Sequence, residues 1–287
     1  MRPTVGGLLS RLALPLLLLL PSAAGAGESQ RIASLNLTSD EVLVELVPPS
    51  RLVAVTAVAD EPDSSNVAGR LPAGALRFRR ADLERLVTLS PDLVVVSEYT
   101  DADFLALLER SGLHYHRMEN LDSFVGIRRA IQNLGRAVGE PARAEALVAR
   151  FDSVLSDLSR RVAGAGRPRV LYWSDPMTAG ENTVISDAIE AAGGTNVGRE
   201  MGVRGILPVG TERVFLAKPD YVLVGTAPGA RQALVSDPLL SQLAAVREGR
   251  IIEMPNRLLV TLSQYAAETA WHLAHALHKE RVPSPEP

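Results

Sequence analysis

Glu84–Val96 reads ERLVTLSPDLVVV, and Glu212–Val224 reads ERVFLAKPDYVLV. Glu, Arg, Pro, Asp and two valines recur at the same offsets. In the first copy Asp82 can cap a helix that carries Leu83, Leu86 and Val87 on one face. Pro91 stops that helix, and the Val-rich run after it suits a strand buried on both faces of a parallel sheet. Helix, stop and buried strand, written once in the first third and once in the last, mark two related halves.

The segments around each copy keep the same alternation. RIASLN and RLVAVT (51–56) read as strands on either side of a helix TSDEVLVELV, with Thr38 or Ser39 as its cap. After the first copy come a helix DADFLALLERSG, closed by Gly112, and a strand LHYHRM. PRVLYW is a strand and TVISDAIEAAGG a helix, then the second copy, a helical SDPLLSQLAAV, a strand GRIIEM and a closing helix SQYAAETAWHLAHALHK. Between the halves, Pro141 to Ala163 lacks internal Gly and Pro. Leu147, Phe151, Val154, Leu155, Leu158 and Val162 make one helical stripe there. The fold class read from this pattern is α/β: two Rossmann-like lobes joined by one long α-helix, with a ligand cleft between them. The expected lobes are 30–138 and 166–281, the connecting helix 139–165, and a disordered tail 282–287.

The chain opens as an export signal. Arg2 and Arg11 precede LALPLLLLLP, and Ala24-Gly25-Ala26 offers a cleavage site, so 1–26 is expected to be removed near Ala26. Retention of this segment as an anchor is the other outcome. Its apolar run is short for a membrane span, which makes the periplasm the expected address. Cysteine is absent, which excludes disulfides, thiolate metal sites, cysteine nucleophiles and lipidation at an N-terminal cysteine. A net charge of −3 over 287 residues points to no nucleic-acid partner.

DLERLVTLSPDLVVVSE, EAAGGTNVG, TERVFLAKPDYVLVG and SQLAAVREGRIIEMP, in this order around a long helix, resemble one family. It comprises the periplasmic substrate-binding proteins of ABC importers for vitamin B12, ferric siderophores and haem, the class with a rigid interdomain helix. The likeness runs over roughly residues 30 to 280. It implies that Glu84 and Glu212 dock onto arginines of a dimeric transmembrane permease, and that the protein is a monomer. It also implies a metal chelate or corrinoid as cargo, with no resident cofactor. The opening loop NLTSDE departs from the Pro-Ser turn and Thr-Glu pair of many relatives, so cargo contacts do not transfer there.

Ligands of α/β sheets sit beyond the carboxyl ends of the strands. Candidates at those ends are Asn36, Asp60, Phe78 and Tyr99 in the first half, and Trp173, Met177, Arg204 and Arg257 in the second. Each aromatic offers flat apolar contact to a macrocycle or catecholate, or packs in the core. Arg204 and Arg257 can pair with carboxylates or an anionic chelate, or lie solvated at the surface. Tyr99 is the candidate axial ligand were the cargo haem. His114 and His116, and His272, His275 and His278, have spacings that can hold a metal, but Trp271, Leu273, Ala274 and Leu277 place the last three on the solvent face. The chain has no G-x-S-x-G, H-E-x-x-H, P-loop or G-x-G-x-x-G motif. An importer's binding protein is therefore the first reading; an exported enzyme or cargo sensor using the same cleft is the alternative.

Overall fold

The computed structural model describes residues 30–285. The leader expected over 1–26 lies outside the described residues, as do Glu286 and Pro287. In the first lobe β1 (Ile32–Ser34), β2 (Leu52–Thr56), β3 (Leu76–Phe78), β4 (Leu93–Ser97) and β5 (Tyr115–Met118) form a parallel sheet in the order β3-β2-β1-β4-β5. Its helices are α1 (Leu37–Leu46), α2 (Leu83–Leu89), α3 (Ala102–Ser111) and α4 (Phe124–Ala137), and α5 (Pro141–Val162) follows. In the second lobe β6 (Arg169–Tyr172), β8 (Thr195–Asn196), β10 (Tyr221–Gly225) and β11 (Ile251–Met254) form a parallel sheet in the order β11-β10-β6-β8. An antiparallel pair, β7 (Met177–Ala179) with β9 (Ile206–Pro208), accompanies it. Its helices are α6 (Val184–Ala191), α7 (Val197–Glu200), α8 (Thr211–Ala217), α9 (Ala230–Ser236), α10 (Ala244–Arg247), α11 (Asn256–Leu259) and α12 (Ala266–Leu277).

The repeated phrase closes identically in both lobes. α2 ends on Ser90 and α8 on Lys218, each left-handed, at φ 46° and 49°. Arg31, just before β1, donates to the carbonyls of Leu89 and Ser90. Arg169, at the start of β6, donates to those of Ala217 and Lys218. Each guanidinium thus covers carbonyls that a helix end leaves open. The aspartate of each Pro-Asp pair accepts from the same arginine's backbone amide, Asp92 from Arg31 and Asp220 from Arg169. These locks register β4 beside β1 and β10 beside β6.

The 22 residues of α5 reach about 33 Å. Its buried face, which includes Leu147, Phe151 and Leu158, packs against α4 and α12 and touches α1 and α6. Phe151 meets Phe124 edge to face at 5.3 Å between ring centroids. One apolar cluster runs from Ile32 and Val95 through α5 to Ile189 and Leu273, so the lobes share a core. Polar ties cross the seam as well. The amide of Phe124 donates to Asp187 at 2.7 Å, and Arg70 donates to the Tyr265 hydroxyl at 2.6 Å.

Several expectations need correction. Asn36 caps α1, accepting from the Ser39 amide, because its extended backbone precedes the first helical turn. Val87 points outward, since a helix of seven residues buries only Leu86 beneath it. The helix expected over SDPLLSQLAAV is a 3₁₀ turn at Leu240–Gln242 followed by the short α10, because Pro238 and the Asp237 side chain turn the chain there. The tail is ordered through Pro283. Val282 is fully buried and Pro283 accepts from the Trp271 indole. His272, His275 and His278 are half-buried rather than solvated: His275 Nδ1 meets the Val282 carbonyl of the tail, and His278 lies against Gly193. Several elements escaped the sequence reading, among them β3, the short β8, α7 and α11, the pair β7–β9, and α4, which is capped by Ser123 and patterned by Phe124, Ile127, Ile131 and Leu134.

Candidate functional site

Strand order reverses between β1 and β4 in the first lobe and between β6 and β10 in the second. A crevice forms at such points because adjacent connections leave to opposite faces. Beyond the carboxyl ends of β4 and β6 lies a cavity of about 460 Å³ with walls from both lobes. Tyr99, Leu121 and Asp122 come from the first lobe. The second supplies Tyr172, the first turn of α6 with Thr183 and Val184, Ile206, and Leu259, Val260 and Leu262. Tyr99 is 67% exposed, and Ile206 and Val260 are 50% and 55% exposed. Apolar side chains held open to solvent around one cavity are what a solute-binding surface presents.

Tyr99 follows β4 in a turn held by Thr100, whose hydroxyl accepts from the Ser97 amide. Partial burial raises the pKa of its phenol, and the carboxylates of Glu98 and Asp122 raise it further. The phenol is therefore neutral near pH 7. Burial also raises Tyr172, against a hydrogen bond with Ser174. The cavity is thus largely apolar, with the two phenols, Asp122, Asn182 and Thr183 as its polar groups.

A second hollow, of about 370 Å³, lies over the ends of β1 and β2 and is lined by Asn36, Thr56, Phe78, Arg79 and Arg80. It shares Arg79 and Arg80 with an adjoining groove of about 840 Å³ that adds Asp60, Arg77 and Arg85. Asp60 is held by Arg77 at 2.7 Å, and Arg85 stacks over the Phe78 ring at 5.2 Å. Arg79 and Arg80 are exposed and have no ion-pair partner among the described residues. Across three strand spacings, from β3 to β4, this basic end stands about 14 Å from the Tyr99 end of the same sheet.

The structure sorts the sequence candidates. It gathers Tyr99 into the interlobe cavity and Asn36, Asp60 and Phe78 into the first-lobe grooves. Phe78 is 3% exposed and forms a groove floor beneath Arg85 rather than a free wall. Trp173 is also 3% exposed and packs in the second lobe's core with Leu171 and Val214. Strand alternation sends Tyr172, its neighbour, to the cavity instead. Met177 is half-buried opposite Pro208. Arg204 pairs with Glu181 at 3.2 Å. Arg257 directs its charge at Glu268 and His272 of α12. Glu84 and Glu212 are exposed in the first turns of α2 and α8 and have no ion-pair partner among the described residues. Sequence reasoning missed Leu121, Tyr172, Ile206 and Val260, whose apolar character alone does not separate cleft from core. Arg79 and Arg80 were missed as well, because they follow β3, a strand that the sequence pattern did not reveal. Among the described residues no group of three or more His, Asp or Glu is placed to hold a metal ion. None of their helices is long and apolar enough to cross a membrane.

Two α/β lobes on a shared core, with an apolar cleft at the carboxyl ends of both sheets, define a protein that holds a solute between its lobes. The chain belongs to the periplasmic binding protein family, whose model matches residues 32–258. It is 25% identical to a cobalamin-binding protein of Halobacterium salinarum, over 89% of this chain and 71% of the relative. YvrC of Bacillus subtilis, an ABC transporter substrate-binding lipoprotein, is 20% identical, with 88% of this chain and 81% of the relative covered. Among solved structures, the periplasmic haem-binding protein RhuT from Roseiflexus sp. RS-1, in its apo form, superimposes with a TM-score of 0.75. It is 26% identical, and the match covers 88% of this chain and 98% of that one.

Proposed function

We propose that this solute-binding protein captures an anionic metal chelate, haem or a ferric siderophore, ahead of a neutral corrinoid such as vitamin B12. It then delivers that cargo to a dimeric ABC permease outside the cytoplasm. The observation that carries this reading is an apolar interlobe cavity accompanied by a separate basic groove on the first lobe. Tyr99, Ile206 and Val260 offer flat apolar contact in the cavity, and Arg79 and Arg80, without an ion-pair partner among the described residues, offer charge in the groove. The spacing of about 14 Å between strands β3 and β4 matches a flat macrocycle with acidic arms. Sequence reasoning placed the anion contacts on Arg204 and Arg257, but the first is paired and the second faces α12. Haem-binding and cobalamin-binding relatives support the cargo class. Tyr99 is the axial candidate for ferric haem, and its raised pKa means that ligation has to displace the phenolic proton. Glu84 and Glu212 are the proposed docking acids.

Titration of the protein with haemin, cyanocobalamin and ferric siderophores, by tryptophan quenching and calorimetry, tests the reading. Saturable submicromolar binding of an anionic chelate is expected. Arg79→Gln with Arg80→Gln should weaken it at least tenfold while leaving cyanocobalamin unaffected, and Tyr99→Phe should change the haemin spectrum. No binding across the panel, or cyanocobalamin binding alone, would overturn the anionic-chelate assignment.

A further inference from the structure

We infer that Glu41 is a positioning residue that holds one wall of the cleft in place across the seam between the lobes. Glu41 lies in α1 of the first lobe and is fully buried. Its carboxylate nonetheless meets four donors. Within its own lobe Oε1 accepts from the Asn66 backbone amide at 3.1 Å and the Asn66 side chain at 2.7 Å. Across the seam Oε2 accepts from the Thr261 hydroxyl at 2.7 Å and the Ser263 hydroxyl at 2.6 Å. Gln264 donates to the Glu41 carbonyl at 2.8 Å, and Asn66 donates to the Arg257 carbonyl at 3.0 Å.

The segment that Glu41 grips is a cleft wall. Leu259, Val260 and Leu262 line the interlobe cavity, while Thr261 and Ser263 between and beyond them are buried against the carboxylate. Alternate residues therefore serve the wall and the latch. A carboxylate in a dry seam is tolerated only when its oxygens are satisfied, and a satisfied network of this kind is rigid. Five residues before Glu41, the cap of α1, Asn36, lines the floor of the hollow over β1 and β2. α1 thus ties floor to wall, and Glu41 sets where Val260 and Leu262 stand without touching the cavity itself.

The binding arm of the test rests on the proposed cargo class; the exchange arm does not. Glu41→Gln and, from the other side of the seam, Thr261→Val with Ser263→Ala are compared with wild type by circular dichroism. Hydrogen exchange and haemin titration follow. Faster amide exchange confined to 258–264, with α5 unchanged, and at least tenfold weaker haemin binding are expected from both variants. Combining them should add little, because they break one network. The Thr261/Ser263 variant keeps the test open where Glu41→Gln fails to fold. Unchanged exchange over 258–264 in a folded variant would overturn the inference. So would loss of thermal stability with unchanged haemin affinity, the signature of a merely structural role. Where wild type binds no chelate, the functional reading fails, and exchange alone decides on Glu41.

Discussion

Beside Glu41, α1 buries a second acid, Asp40, in a different state. One of its oxygens accepts from the amide and hydroxyl of Thr56, while Oδ1 has no partner in the structure. Burial raises its pKa to about 7, the nearby Ser34 hydroxyl and the hydrogen bonds from Thr56 oppose the shift, and the charge of Glu41 adds to it. A folded pKa above the unfolded value means that the native state binds the extra proton between about pH 4 and pH 7. The stabilisation is complete below the unfolded pKa and is lost as pH rises through 7. Three units correspond to about 4 kcal/mol. Asp40→Asn should flatten this loss, and urea unfolding at pH 5, 6, 7 and 8 measures it. The variant's stability should gain on wild type as pH rises, whereas parallel curves would show that Asp40 does not titrate in this window.

At the scale of elements, α2 and α8 are the same device used twice. The structural part of the repeat is the Pro-Asp turn and its arginine lock, which explains why Pro and Asp recur. It does not require the glutamates, whose exposed first-turn positions contribute only ~0.3–1 kcal/mol to each helix. Glu84→Gln and Glu212→Gln should therefore leave the melting temperature within a degree or two and cargo affinity unchanged. The double variant should lose capture by the cognate permease in detergent or nanodiscs, with each single variant intermediate. Undiminished capture by the double variant would remove the docking role. The lock itself was half legible: the repeated Pro-Asp stood in the sequence, but its partners Arg31 and Arg169 lie outside the phrase and no periodicity points to them.

For the whole molecule, the shared core and the packing of α5 against α4 and α12 predict lobes that move little. Bending α5 would break its helical ladder and pull Phe151 from Phe124. Small-angle scattering with and without saturating cargo should give superimposable distance distributions. A contraction of several ångström in radius of gyration would mean that the seam opens in the apo state.

What the sequence determined by itself was local or periodic: two lobes, a long connecting helix, valine-rich central strands and first-turn glutamates. These follow from hydrophobic spacing, proline and helix-cap chemistry, which act over a few residues. Tertiary structure alone decided which apolar residue faces the cleft, since Tyr172 and Trp173 differ only in the side of the sheet they take. It also paired Arg204 with Glu181 and left Arg79 and Arg80 exposed, without an ion-pair partner among the described residues. Glu41 reached its partners at 261 and 263 only through the fold. Contacts between residues far apart in the chain depend on how sheets and helices are brought together, and no local pattern encodes them.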